Sequence, residues 1–165
     1  MNAKYALASF SVALLASGCA TFEPVPKDYA GPTATLQDTG FSESASKAQL
    51  FAAVEVDGHQ IMNAFWASAN ASHGRGNSLT TDLPMRKVKA MPMRVHIQCG
   101  HAAGAPIAEI ASQIAGTFFW VDGVVDFAPR PNGRYAVKGE LKKEASTCWI
   151  EDLDAGKPAT TVVTK

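Results

Sequence analysis

Apolar and polar residues alternate strictly from Met93 to Cys99, and this pattern constrains the fold more than any other in the chain. The apolar positions are Met93, Val95, Ile97 and Cys99. Side chains alternate between the two faces of a β-strand, so this period predicts a strand with one face in the core and the other in solvent. The pattern therefore predicts that Cys99 points into the core.

Similar short segments recur along the chain, separated by clusters of turn-forming residues. We predict strands at Thr33–Gln37, Ala48–Val56, Met85–Val88, Met93–Cys99, Arg134–Leu141, Thr147–Glu151 and Ala159–Val163, and strands interrupted at Asp122-Gly123 between Thr117 and Phe127. The other predicted turns and loops are Asp38–Ser46, Asp57-Gly58, His73–Ser78, Ala90–Pro92, Pro129–Gly133, Lys142–Ser146 and Asp154–Gly156. Such a series of short strands predicts an all-β fold, a two-sheet sandwich with an immunoglobulin-like or transthyretin-like layout.

Two segments are less clear. In Ile61–Ser72 the apolar residues fall at helical spacing, so we predict one short helix or helical loop packed on the core. Pro106–Gly116 fits either a helix or a strand. We favour the strand because its surroundings are rich in predicted strands, although periodicity resolves short apolar runs poorly.

The first residues predict export. Lys4 is followed by an uncharged apolar run from Tyr5 to Ala16. This order of a positive residue and an apolar run is typical of a secretory signal peptide. The run is shorter than the roughly 20 apolar residues that a membrane-spanning helix needs. We therefore predict that this segment directs export and is then removed.

The apolar run ends in Leu15-Ala16-Ser17-Gly18-Cys19, which resembles the lipobox of bacterial lipoproteins. That class favours Leu three residues before the cysteine, where this chain has Ala16. The resemblance implies cleavage before Cys19 and a diacylglycerol group on its sulfur, whose acyl chains hold the protein on the membrane. Because Ala20 rather than Asp follows, it also implies the outer membrane, facing the periplasm. The alternative is an ordinary signal peptide cut near Ala20, which would release a soluble protein.

This interpretation divides the chain into three parts. Residues 1–18 are a lipoprotein signal peptide, residues 19–32 are the lipidated N-terminus with a Pro-rich tether, and residues 33–165 are the sandwich domain. The prolines of the tether favour an extended backbone, because proline excludes regular hydrogen-bonded structure. The mature chain of about 150 residues is an ordinary size for one domain with its own core.

The charge of the chain is balanced, with 15 Lys and Arg residues against 15 Asp and Glu residues. Phosphate binding needs an excess of basic residues, so this balance argues against nucleic acid as a partner. The predicted partners are the membrane, through the lipid on Cys19, and an envelope protein. No motif indicates a cofactor.

With Cys19 assigned to lipid, the cysteines Cys99 and Cys148 remain. Exported proteins fold in an oxidising compartment, where such a pair usually forms a disulfide. We predict that bond, with two buried thiols as the alternative.

The second half of the chain is also similar to small lipoproteins of Gram-negative bacteria. The similar stretches are Val121–Pro129, Tyr135–Gly139 and Cys148–Asp152. This resemblance implies a fold and a location, and it transfers no catalytic residues.

A metal site is the main chemical alternative. Cys99, His101 and Cys148 would supply three ligands for zinc or copper. His96 would not join them, because positions 96 and 99 of a strand point to opposite faces. We predict the disulfide and no metal.

Two other groups of residues receive structural interpretations. The acidic residues lack the spacing of a known calcium loop, so we predict an acidic turn at Glu151, Asp152 and Asp154. Large aromatic residues usually fill sandwich interiors, so we predict core positions for Trp66, Trp120 and Trp149.

No arrangement of nucleophile and base is apparent, and no Gly-x-Ser-x-Gly motif occurs. The sequence therefore predicts a lipid-anchored envelope lipoprotein that is not an enzyme and acts in protein binding or envelope assembly. A periplasmic carrier or sensor of a small ligand or metal is the alternative. An envelope hydrolase is a third and weaker hypothesis.

Overall fold

Two β-sheets packed face to face form the protein in a computed structural model, which describes residues 21–105, 113 and 115–165. Eleven strands and one helix are described. In chain order they are β1 (Thr33–Gln37), β2 (Thr39–Ser44), β3 (Lys47–Val56), β4 (His59–Gln60), α1 (Ala64–Ser72), β5 (Met85–Lys89), β6 (Met93–Ala103), β7 (Trp120–Phe127), β8 (Arg134–Glu140), β9 (Thr147–Asp152), β10 (Lys157–Pro158) and β11 (Val163–Thr164). The all-β two-sheet sandwich is therefore confirmed, and the finer choice of layout stays a prediction.

Each sheet combines strands from distant parts of the chain. Sheet A has the order β10-β9-β8-β1-β5, with β11 also paired to β9. Sheet B has the order β2-β3-β6-β7, with β4 paired to β3. Strand β1 is parallel to β8, with Thr35 opposite Arg134, and antiparallel to β5. The first strand thus lies inside sheet A, between strands that come much later in the chain.

The main core lies between the sheets, and β6 contributes its alternating row to it. Val95, Ile97 and Cys99 are fully buried there. Cys99 on sheet B is joined to Cys148 on β9 of sheet A, with their Cα atoms 5.8 Å apart. The predicted pairing is therefore present, and it links the two sheets. Gly139 leaves the room for it, because a Cβ there would lie 2.7 Å from Cys99 Sγ.

A second apolar cluster lies on the outer face of sheet B, under α1. Ala64 of the helix packs there against Ala48, Leu50 and Ala52 of β3. The helix begins at Asn63, whose side-chain oxygen accepts hydrogen bonds from the first free amides of the helix. The short helix predicted in Ile61–Ser72 is therefore confirmed, and its cluster buries Ala48, Leu50 and Ala52 on the outer face of β3.

A buried ion pair connects this helix to both sheets. The Asp38 carboxylate accepts hydrogen bonds from Arg86 at 2.8 and 2.7 Å, from the Ala53 amide of β3 and from the Ala64 amide of α1. Burial raises the pKa of Asp38, while Arg86 and the two amides act against that rise. Asp38 therefore fixes where the helix starts relative to β3 and β5.

Three parts of the predicted strand pattern are wrong. The predicted loop Asp38–Ser46 contains β2, a solvent-exposed edge strand without an apolar period, which the sequence pattern could not reveal. The predicted interruption at Asp122-Gly123 is absent, and β7 continues through it. A Cβ at Gly123 would lie 2.9 Å from Val163, so this glycine serves close packing rather than a turn. The predicted last strand, Ala159–Val163, is replaced by two short pairings at β10 and β11.

The remaining predictions have mixed outcomes. The turn at Asp57-Gly58 is confirmed, and both residues have positive φ, as a tight hairpin turn requires. The strand predicted at Pro106–Gly116 falls mostly outside the described residues. The Pro-rich segment up to Pro32 packs on the domain rather than extending away from it, and Pro24 is buried.

Candidate functional site

The outer face of sheet B carries an open groove between α1 and β7, with β6 as its floor. We call this surface the helix–strand groove. It consists of three adjoining depressions, lined by Phe65 and Trp66 of α1, His96, Gln98 and Gly100 of β6, and Trp120 and Val124 of β7. Asp122 of β7 lies beside His96. The groove exists because α1 covers only the β3 half of this face, which leaves the polar row of β6 open.

One end of the groove encloses about 650 Å³ beside Phe65, Gly100 and Trp120. Gly100 brings the two aromatic walls together, because it presents no side chain between them. A Cβ at Gly100 would lie 3.3 Å from the Trp120 Cβ and 3.8 Å from Phe65 Cζ. The floor of the groove is therefore narrow at Gly100, and the Phe65 and Trp120 rings lie on either side of it.

The core positions predicted for two of the tryptophans are wrong. Trp66 is 43 % exposed and Trp120 is 46 % exposed, and they lie on opposite walls of the groove. Only Trp149 is partly buried, and its indole N–H lacks a partner among the described residues. The sequence did contain a signal for the exposure of Trp120. Trp120 and Asp122 lie on one face of β7, and the buried Val121 between them points to the other face.

The face of the Trp120 ring already accepts a cation. Lys165 Nζ lies 4.0 Å from the centre of this ring. An ammonium group at that distance is attracted by the negative face of the aromatic system. The groove is therefore chemically suited to a positively charged group beside an aromatic wall.

His96 lies on the floor between two carboxylates. Its Nε2 is 2.9 Å from Asp122 Oδ2, and its Nδ1 is 3.6 Å from Glu55 Oε2. A histidine that acts as a general base needs one ring nitrogen free to take a proton from a nucleophile. Both nitrogens of His96 face carboxylates, so this cluster gives the groove an acidic floor rather than a catalytic base.

His101 is a buried structural residue at the edge of the groove. Its Nδ1 accepts the Phe119 N–H at 2.9 Å, and its Nε2 lies 3.2 Å from Glu43 Oε1. Burial raises the pKa of Glu43, but the hydrogen bond from Gln49 and the nearby His101 and Lys47 outweigh it, and the net pKa is lowered. Of the two ring nitrogens of His101, Nε2 therefore holds β2 to β6, and Nδ1 holds the segment before β7 to β6.

The structure gives no support to the metal alternatives. The sulfurs of Cys99 and Cys148 are bonded to each other, which leaves His101 without the two thiolates of the zinc or copper arrangement. Residues 21–105, 113 and 115–165 contain no group of three or more His, Cys, Asp or Glu side chains placed to hold a metal ion.

The acidic turn after β9 is used for local structure. Asp152 accepts hydrogen bonds from Arg130 and from the amides of Asp154 and Ala155. Asp154 pairs with Arg134 at 2.7 Å, and that hydrogen bond lowers the pKa of Asp154. These carboxylates are therefore committed to neighbouring donors instead of an open calcium site.

The hydrolase hypothesis also lacks geometric support. In the described part of the chain, no hydrogen bond joins a serine hydroxyl to a histidine ring. Ser68 and Ser72 instead bond the backbone of the segment that follows α1. Both hydroxyls are therefore used in fixing that segment to α1.

Comparisons with protein families, curated proteins and solved structures find no match to this chain. Among the described residues, none of the helices is long and apolar enough to cross a membrane. Cys19 lies outside the described residues, so its lipidation stays a prediction.

Proposed function

We propose that this protein is a lipid-anchored lipoprotein of the bacterial envelope that works by binding another envelope protein. Its anchor is the acylated Cys19, on the periplasmic side of the outer membrane. The β-sandwich supplies the binding surface and carries out no reaction. Neither a cofactor nor nucleic acid takes part.

The observation that carries this proposal is the pair of exposed tryptophans on either side of the helix–strand groove. Tryptophan is enriched at the energetic centres of protein interfaces, because it buries a large area with little loss of side-chain freedom. Trp66 and Trp120 belong to different elements and line two adjoining depressions of the groove, which share Phe65 and Gln98. A partner segment long enough to cross both depressions would contact both rings.

The chemistry of the groove also indicates which side chains a partner segment would carry. Asp122 and Glu55 place negative charge on the floor, and Trp120 already holds the ammonium of Lys165 on its face. The complementary segment carries a Lys or Arg next to an apolar or aromatic side chain. It also lies near β7, which is an edge strand of sheet B and is open to pairing with an added strand.

Site-specific photo-crosslinking in living cells tests the binding surface. A photoreactive phenylalanine analogue replaces Trp66 or Val124 in the groove, or Phe41 as a control. Phe41 is an exposed aromatic residue on β2, at the other edge of sheet B. We expect one discrete adduct with an envelope protein from the groove positions and none from position 41. The same adducts from all three positions, or no adduct, would contradict the proposal.

The anchor has its own test. Intact-mass measurement of protein purified from membranes should show cleavage before Cys19 and the added mass of a diacylglycerol. A Cys19→Ser variant should remain unacylated and keep its N-terminal segment uncut, because acylation precedes cleavage in lipoproteins. A mature protein that begins after residue 19 without lipid would overturn the anchored location, whatever the crosslinking shows.

A small organic ligand is the second candidate, because the groove volume of about 650 Å³ falls in the range of ligand sites. Native mass spectrometry of protein purified without detergent exchange distinguishes the two. A stoichiometric small molecule that is lost in a Trp120→Ala variant would favour a carrier over a protein-binding module.

A further inference from the structure

The chain just after the predicted anchor is fixed to the domain. The Phe22 N–H donates a hydrogen bond to the Gln60 carbonyl of β4 at 3.3 Å, and its ring stacks on His59 with the centres 4.5 Å apart. Pro24 is buried two residues later. The segment therefore follows the surface of the sandwich from β4 to the start of β1.

This docking leaves a very short link between lipid and domain. Only Ala20 and Thr21 separate Cys19 from Phe22. Fully extended, three residue steps reach about 11 Å. An acylated Cys19 at the membrane surface would hold Phe22, and the part of the domain beneath it, within that distance of the lipid headgroups.

The surface beside Phe22 is apolar and exposed. Phe22 is 38 % exposed, Met62 is 39 % exposed and Met85 is 68 % exposed. They surround a cavity of about 470 Å³ that Lys87, Arg86 and Glu23 also line. We call this surface the β4–β5 flank. Flexible apolar side chains next to an exposed lysine match the boundary between lipid headgroups and acyl chains.

We propose that the β4–β5 flank lies directly on the bilayer, with Phe22, Met62 and Met85 inserted among the headgroups and Lys87 near lipid phosphates. This inference rests on the lipid anchor at Cys19 in the proposed function. It changes the role of the Pro-rich segment, which becomes a strap that holds one side of the sandwich down rather than a spacer.

The orientation has a consequence for the helix–strand groove. Strand β4 lies on the side of β3 away from β6, and β7 is the opposite edge of sheet B. Interstrand spacing of about 4.8 Å places β7 about 14 Å farther across the sheet than β4. With the β4 side on the membrane, the β7 wall of the groove faces the periplasm, where a partner has access.

Depth measurements on the lipidated full-length protein test this orientation. Single cysteines are introduced by Met62→Cys, Met85→Cys or, as the distant control, Lys143→Cys in the exposed turn after β8. In each variant the added thiol is the free one, because Cys19 carries lipid and Cys99 is bonded to Cys148. A bimane label is attached, and the protein is reconstituted into phosphatidylethanolamine–phosphatidylglycerol vesicles containing brominated acyl chains.

We expect the labels at positions 62 and 85 to be quenched at least threefold more than the label at position 143. Adding Phe22→Ala should reduce this difference while the protein stays in the vesicle fraction, because the anchor is intact but the strap is released. Met85→Glu, which leaves Phe22 docked, should lower the quenching at position 62.

The outcomes separate this inference from the proposed function. Equal quenching at all three positions in protein whose mass shows the lipid overturns the orientation alone. A mass without lipid overturns the anchor, and the orientation fails with it. Unchanged quenching after Phe22→Ala would show that the strap does not set the orientation, and would also count against the inference.

Discussion

The two faces of β6 differ in burial and in the groups that they present. On the inner face, Val95, Ile97 and Cys99 are fully buried between the sheets. On the outer face, His96 and Gln98 form the floor of an open groove. One strand therefore supplies core packing with its odd-numbered residues and the floor of the groove with its even-numbered residues, because successive side chains point to opposite faces.

The outer face of sheet B is not uniform either. The β3 half is closed by α1, whereas the β6 and β7 half is open. The difference depends on where the helix begins, and Asp38 fixes that point through the Ala64 amide. The groove thus depends on the buried ion pair of Asp38 and Arg86 as well as on the alternation of side chains along β6.

The largest expected effect comes from breaking that ion pair. Arg86→Met leaves the Asp38 carboxylate buried without its counter-charge, and removing one partner of a buried pair costs about 3–5 kcal/mol. We expect this loss in the free energy of unfolding measured by urea titration. The matched control is Arg134→Met, which breaks the exposed pair with Asp154 and should have little effect. Equal losses in the two variants would show that Asp38 does not fix the helix.

Removing the link between the sheets tests the inner face. The double variant Cys99→Ser, Cys148→Ser avoids a free thiol and should lower the free energy of unfolding by about 2–5 kcal/mol. Partner crosslinking from position 124 should persist under conditions where the variant stays folded, because β6 keeps its outer row. A variant that is fully folded but has lost the crosslink would mean that the two faces are coupled.

Neighbouring residues of β6 give a sharper comparison. Ile97→Ala removes a fully buried side chain and should destabilise the protein by about 2–5 kcal/mol. Gln98→Ala, one residue later, should change stability by less than about 0.5 kcal/mol but weaken partner crosslinking, because Gln98 lies on the groove floor. Ile97→Ala should therefore change thermal unfolding, and Gln98→Ala should change the crosslinking yield. A large stability loss in Gln98→Ala would contradict the separation of roles.

The smallest expected effect is an acid dependence at the edge where Glu43 meets His101. The pKa of Glu43 is lowered in the folded state, so the unfolded state binds more protons as the pH falls below the ordinary glutamate pKa of 4.5. The stability that Glu43 contributes is present above that pH, and it is lost as the pH falls through the pKa that Glu43 has in the folded protein. Glu43→Gln should flatten the acid limb of urea midpoints measured between about pH 3 and pH 6, relative to Glu144→Gln at an exposed turn.

Much of the fold could be predicted because the core strands carry a clear period. The apolar residues that alternate along Met93–Cys99 form the buried face of β6. The predicted turn at Asp57-Gly58 is present, and both residues have the positive φ that such a turn requires. Strand β2 escaped prediction because it is an exposed edge strand, held by backbone pairing to β3 rather than by an apolar face. An Asp-Gly pair alone does not separate a turn from a strand, as Gly123 shows, since its neighbour Val163 lies far along the chain.

The candidate site was harder to predict than the fold. The sequence suggested that Trp66 and Trp120 fill the core, because large aromatic residues usually do. Their exposure depends on α1 covering only half of sheet B, and that placement depends on Asp38 and Arg86, which are 48 positions apart. Local patterns do not encode such a contact. The disulfide was predictable because only one pair remained once Cys19 was assigned to lipid.

The parallel pairing of β1 with β8 has a consequence for biogenesis. In the exported lipoprotein proposed above, Thr35 would cross the membrane before Arg134, its neighbour in sheet A. Until then β1 has an open edge where β8 will add. A protein acylated near residue 19 would therefore already be tied to the lipid while its first sheet is incomplete, and periplasmic chaperones would meet it as a tethered, half-built sandwich.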